Sequence, residues 1–140
     1  MHAEDSKKTL YVVGIGPGGR DQMTIRADRV LRECSVIVGY PVYLNLVRED
    51  YPKARFLSTP MRQERERCLM ALKAAAQGER TAVICSGDSG IYGMAGLTLE
   101  LAGEFPEVEV SVIPGVTAAV GGAAVLGAPI GHDFAVISLS

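Results

Sequence analysis

Apolar residues fall into short unbroken runs, separated by stretches in which they recur every three or four positions. Thr9–Ile15 (TLYVVGI), Ser35–Gly39 (SVIVG), Arg80–Gly87 (RTAVICSG) and Glu107–Gly115 (EVEVSVIPG) read as buried strands stopped by glycine. Ala54–Ser58 (ARFLS) is a weaker strand, and Asp133–Ser140 (DFAVISLS) starts another. Between them, Thr24 caps a predicted helix that runs to about Cys34, with Ile25, Val30, Leu31 and Cys34 inward. Pro41–Val47 makes a short helix. Met61–Gln77 is the clearest one, with Met61, Cys68, Leu69, Leu72, Ala75 and Ala76 on one stripe and Gly78 as its stop. Ile91–Ala102 and Thr117–Leu126 complete the set. Strands alternating with helices predict an α/β domain, a mostly parallel five- to six-stranded sheet flanked by helices with right-handed crossovers.

Composition narrows the picture. The chain has 140 residues, 48% hydrophobic and 21% charged, enough to bury the core of one domain. The formal net charge of −2, with both signs mixed, gives no basic stripe for nucleic acid. Residues 1–8 (MHAEDSKK) are polar, are expected to be disordered and lack the apolar centre of a signal peptide. Val110–His132 carries no charge, but its prolines and glycines argue for a strand, a turn and a buried small-residue helix, and against a membrane span. The three cysteines have no metal-ligand spacing and read as reduced core thiols of a cytoplasmic protein. The last apolar run stops at Ser140 with no tail after it, so the chain is expected to be a fragment of a longer protein.

Ligands of parallel sheets bind at the C-terminal ends of strands, where three glycine-bearing loops fall: Gly14–Gly19, Ser86–Gly90 and Pro114–Thr117. The first spells G-x-G-x-x-G, a dinucleotide pattern. It departs from that pattern in three ways. The helix starts late, at Thr24; Pro17 removes an N–H donor; and the second strand ends in Gly39-Tyr40-Pro41 without an acid for a ribose. No Gly-Lys-Ser/Thr follows for a nucleotide triphosphate. A tight turn that only reverses the chain suffices for this loop. In the second loop Asp88 can cap the next helix or accept ligand hydrogen bonds, while Tyr92 and Met94 face a cleft or the core. Thr117 can cap the last helix. His132-Asp133 is too little for a metal site, and no Ser/His/Asp or Cys/His set stands out. Catalytic residues stay unassigned, and an enzyme, a non-enzymatic binding or dimerisation module and a nicotinamide-binding domain all remain open.

Taken in order and spacing, VVGIGPGGRDQMT, VIVGYPVYL, SGDSGIYGMAG and VIPGVTAAVGGAAVLGAPIGHDFAVISLS resemble the tetrapyrrole (corrin and porphyrin) methyltransferases. GIYGMAG and GAPIGHDFAVISLS are similar to the precorrin-3B C17-methyltransferase branch of cobalamin biosynthesis. The resemblance covers nearly the whole chain from Leu10. It implies that residues 9–140 are the N-terminal domain of a two-domain, homodimeric enzyme whose second domain is absent. It further implies S-adenosylmethionine as methyl donor and a tetrapyrrole substrate beside it. The implied cofactor contacts are Pro17, Ser86, Gly87, Asp88, Ile91, Thr117 and Ala118. The implied substrate contacts are Gly16, Gly18, Gly19, Tyr40, Tyr92, Met94 and His132, with Tyr40, Tyr92, His132 and Asp133 as acid/base candidates for a ring contraction that accompanies methylation. No metal site in the protein is implied. Where the family loop often has proline, this chain has Ser89, a departure expected to loosen the turn.

Overall fold

The computed structural model describes residues 8–139. The disorder expected for residues 1–8 falls outside this span except for Lys8, which opens the first strand. Five strands form one sheet: β1 (Lys8–Gly14), β2 (Val36–Val38), β3 (Arg55–Leu57), β4 (Thr81–Cys85) and β5 (Val108–Ile113). Their order is β3-β2-β4-β1-β5 and every pairing is parallel, so Val12 stands opposite Val83 on one side and Val112 on the other. Four α-helices connect them, α1 (Ile25–Glu33), α2 (Pro41–Val47), α3 (Glu64–Ala76) and α4 (Ala95–Leu101), and a fifth, α5 (Ala118–Leu126), follows β5.

A parallel sheet is covered on both faces, and the inner strands β2 and β4 are apolar without alternation because both their faces are buried, whereas the edge strands β3 and β5 are only partly covered. All five residues of β4 are buried. The strand period of two sends Val13, Ile37, Ala82 and Ile84 to one face, against Ala27 and Leu31 of α1 and Leu44 and Val47 of α2. Leu10, Val36, Val38 and Val83 point to the other face, against Cys68, Ala71, Leu72 and Ala75 of α3 and Leu101 of α4. The cysteines are buried and free, as their sequence context suggested.

Several expectations are corrected. Ile25 is 79% exposed, and Ala27 takes the inner position. With Val30 and Leu31 inward, a residue two places before Ala27 lies about 200° round the helix from it. Helix α3 starts at Glu64, not Met61: Arg62 has φ +67° and Gln63 lies outside the helical region, so the chain turns there and leaves Met61 exposed. Helix α4 starts at Ala95, not Ile91, because Tyr92 adopts φ +54° and Gly93 is pressed onto the preceding loop. A Cβ on Gly93 would stand 2.2 Å from the Ser89 carbonyl oxygen. The small-residue helix α5 caps on Thr117, whose Oγ1 accepts from the Ala119 N–H at 3.4 Å, but none of its residues is buried. Pro17 lies against Gly121, where a Cβ would approach the ring to 2.8 Å. Residues 133–139 are irregular and exposed and add no sixth strand; they join no ladder and are tied instead to Tyr92.

Candidate functional site

The connection after β1 leads toward the β3 edge of the sheet, and the one after β4 leads to β5 at the opposite edge. The adjacent C-terminal ends of β1 and β4 are therefore the switch point at which open α/β sheets bind ligands. There the three glycine loops meet backbone to backbone. Gly16 N–H donates to the Gly87 carbonyl at 3.0 Å, and Gly87 N–H returns a bond to the Gly16 carbonyl at 2.9 Å. A Cβ on Gly14 would lie 2.6 Å from Gly87 O and 2.9 Å from Gly115 N; one on Gly115 would lie 2.3 Å from Gly87 O. A side chain is excluded at Gly14 and Gly115, so the loops approach each other main chain to main chain there.

Asp88 closes the junction. One carboxylate oxygen accepts from Gly115 N–H at 2.8 Å and the other from Gly90 N–H at 2.9 Å. The residue caps neither α4 nor α5; it clamps its own loop to the one after β5. Ser89 does not loosen the turn. It is fully buried and donates from Oγ to the Ile113 carbonyl at 3.0 Å, a second tie to the end of β5. Thr117 and Ala118 open α5, whose first-turn N–H groups lack intrahelical acceptors apart from the one Thr117 takes. Ser86 and Ile91 are exposed on the same loop as Asp88, and Gly18 and Gly19 are exposed beyond Pro17.

Beside the junction, a cavity of about 300 Å³ opens at the end of β4, lined by Tyr40, Tyr92 and Met94 among others. The Tyr40 and Tyr43 rings meet edge to face with centroids 5.6 Å apart. Cys85 forms part of the wall; burial pushes its thiol up to about 11, so it is protonated at neutral pH and a poor nucleophile. Tyr92 donates from its hydroxyl to the Val136 carbonyl and accepts from Ser138 N–H, both at 3.0 Å. His132 and Asp133 are exposed after α5 and do not line the cavity.

Sequence reasoning missed Arg67, Glu64 and Tyr43, which also line the cavity. For Arg67 a signal existed: with Ala71, Ala74 and Ala75 it falls at i, i+4, i+7 and i+8, on the buried stripe of α3. Among the described residues, no group of three or more His, Cys, Asp and Glu could hold a metal ion, and no helix is long and apolar enough to cross a membrane.

A parallel sheet whose glycine loops converge at its switch point defines an α/β ligand-binding domain, and its matches give the family. Residues 9–140 fit the model of the Tetrapyrrole (Corrin/Porphyrin) Methylases, and the chain belongs to that family. It is 47% identical over 132 residues to a "Probable cobalt-factor III C(17)-methyltransferase" of Salmonella typhimurium, covering 94% of this chain and 55% of the relative. It is 38% identical over 136 residues to a "Precorrin-3B C(17)-methyltransferase" of Sinorhizobium sp, covering 94% and 53%. The crystal structure of the methyltransferase CobJ superposes with a TM-score of 0.85 at 38% identity, over 96% of this chain and 57% of that one. The chain thus spans about half the length of these three proteins.

Proposed function

We propose that this chain is the N-terminal domain of an S-adenosylmethionine-dependent methyltransferase that acts on C17 of precorrin-3B, or of its cobalt form, in cobalamin biosynthesis. It would work as a cytoplasmic homodimer together with a second domain. The observation that carries this reading is the convergence of three strand-end loops on one glycine junction, in a chain of this family. The residues at the junction suit the methyl donor. Ser86 offers an exposed hydroxyl, and the first turn of α5 offers free N–H groups for a carboxylate. Gly87 adopts φ +65°, and a Cβ there would be in contact with the start of α5, its nearest atom Ala118 N at 3.4 Å.

When bound, S-adenosylmethionine supplies an electrophilic methyl group on a good leaving group, so the chain needs no covalent nucleophile. Its residues position and shield. The Gly16–Gly87 pair and the Asp88 clamp fix the loop spacing, which is where alignment gains rate. Tyr40, Met94 and Tyr92 line the cavity, where a bound substrate would displace water. Calorimetry with S-adenosylhomocysteine on the full-length protein tests the reading: binding is expected, and its absence overturns the assignment. Asp88→Ala frees two backbone N–H groups, each hydrogen bond to a charged partner being worth about 1.5–3 kcal/mol. It is expected to lower both the melting temperature and the affinity for S-adenosylhomocysteine, with the far-UV circular dichroism spectrum unchanged at 20–25 °C.

A further inference from the structure

The cavity at the end of β4 contains a charge that the site described above does not use. Arg67 of α3 is only 4% exposed, and no ion pair among the described residues includes it. A buried guanidinium is ordinarily paired with an anion. Here Nε donates to Thr59 Oγ1 at 3.2 Å, and Nη2 donates to the Thr59 and Pro60 carbonyls, each at 3.4 Å. The group sits over the Tyr40 ring, 5.5 Å from its centroid. Among the described residues the remaining nitrogen, Nη1, meets only Met94 Sδ, at 3.7 Å, and a thioether is a weak acceptor. Arg67 and Met94 both line the cavity. Glu64 stands on that wall too, but it is exposed, so water screens its charge far more than that of Arg67.

We propose that Arg67 makes this cavity a carboxylate-binding site: Nη1 donates to a carboxylate oxygen of a bound ligand, while Nε and Nη2 hold the guanidinium plane on the 59–60 backbone and Tyr40 covers its face. Arginine suits this task because its fork is rigid and its charge permanent. The inference rests on the methyl-transfer reading, which gives the carboxylate two sources. One is an acetate or propionate side chain of the tetrapyrrole; the other is the amino-acid end of the methyl donor. Arg67 is a binding and positioning residue for that reaction.

The test uses the full-length protein and two probes: uroporphyrin, followed by fluorescence, and S-adenosylhomocysteine, followed by calorimetry. Arg67→Gln is expected to weaken one of them at least tenfold, with Arg67→Lys recovering part of the loss. Whichever probe weakens identifies the source. Met94→Glu keeps the arginine and gives Nη1 an internal carboxylate; it is expected to weaken the same probe, and it decides the matter if Arg67→Gln does not fold. Unchanged affinity for both probes in the folded variants overturns the proposal. If the wild-type protein binds neither probe, the methyl-transfer reading fails by itself. In that event a shift of the Arg67 Nε–Hε resonance on titration with succinate supports the carboxylate site, and a static resonance overturns it.

Discussion

Cys34, Cys68 and Cys85 have unlike neighbours but share one dominant influence, burial, which raises all three thiols: Cys34 to about 12 and Cys85 to about 11, from an ordinary 9.0. The folded chain therefore holds protons that the unfolded chain has released between those values. Stability, unaffected by these groups below about pH 9, falls as the pH rises through about 12. Thermal melts from pH 8 to 11.5 should show this decline, and replacing Cys34 and Cys85 by alanine should flatten it. In the native protein at pH 7.5, a thiol reagent such as Ellman's is expected to react slowly and to gain three equivalents only on unfolding. Glycine substitutions divide on the same local logic. Gly115→Ala drives a Cβ to 2.3 Å from the Gly87 carbonyl, so it should cost at least about 1–3 kcal/mol and loosen the loop junction. Gly96→Ala, on α4 with nothing within 4 Å, should stabilise by about 0.5–1 kcal/mol. Urea melts of both variants check the pair.

The loop from Ser86 to Met94 joins a strand and a helix and also serves as the anchor of another segment, since the Tyr92 hydroxyl bridges Val136 and Ser138. Tyr92→Phe removes both bonds and leaves the ring. Hydrogen exchange at Ser138 should quicken and proteolysis within residues 133–139 should increase, while the global melting temperature stays within about a degree, because surface changes of this kind alter stability by no more than about 0.5 kcal/mol. The behaviour of this loop explains which elements were legible in the sequence. Where an element packs one stripe or two faces on the core, as β1, β4, α1 and α3 do, the apolar spacing reports it. Elements bounded by backbone turns that apolar spacing does not report were misread. Gly93 against Ser89 delays α4, Arg62 and Gln63 delay α3, and residues 133–139 have strand composition but pair with neither edge strand, β3 or β5, and are held by Tyr92. The candidate site was legible in the same proportion. Its glycine loops announce themselves locally, whereas Arg67 and the Asp88 clamp to Gly115 depend on which chain segments meet.

Across the whole molecule, burial stops well before the chain does. The core occupies the two faces of the sheet up to Ile113, and no residue from Val116 to Leu139 is buried. That segment nevertheless carries much of the exposed aliphatic surface, including Val125 at 85%, Leu126 at 81% and Ile137 at 78%. Exposed apolar surface of this kind favours association in water and adds little to the stability of the isolated fold. The two parts of the molecule should therefore respond to substitution in opposite ways. Leu72→Ala, which empties a fully buried position between α3 and the sheet, should cost about 2–5 kcal/mol. The triple change Val125→Lys, Leu126→Glu and Ile137→Lys should leave the urea midpoint nearly unchanged, because none of the three contributes to the core. The same triple change should reduce binding of the dye ANS and lower the sedimentation coefficient of concentrated solutions of the 140-residue chain. If it lowers the urea midpoint as much as Leu72→Ala does, residues 116–139 belong to the cooperative core.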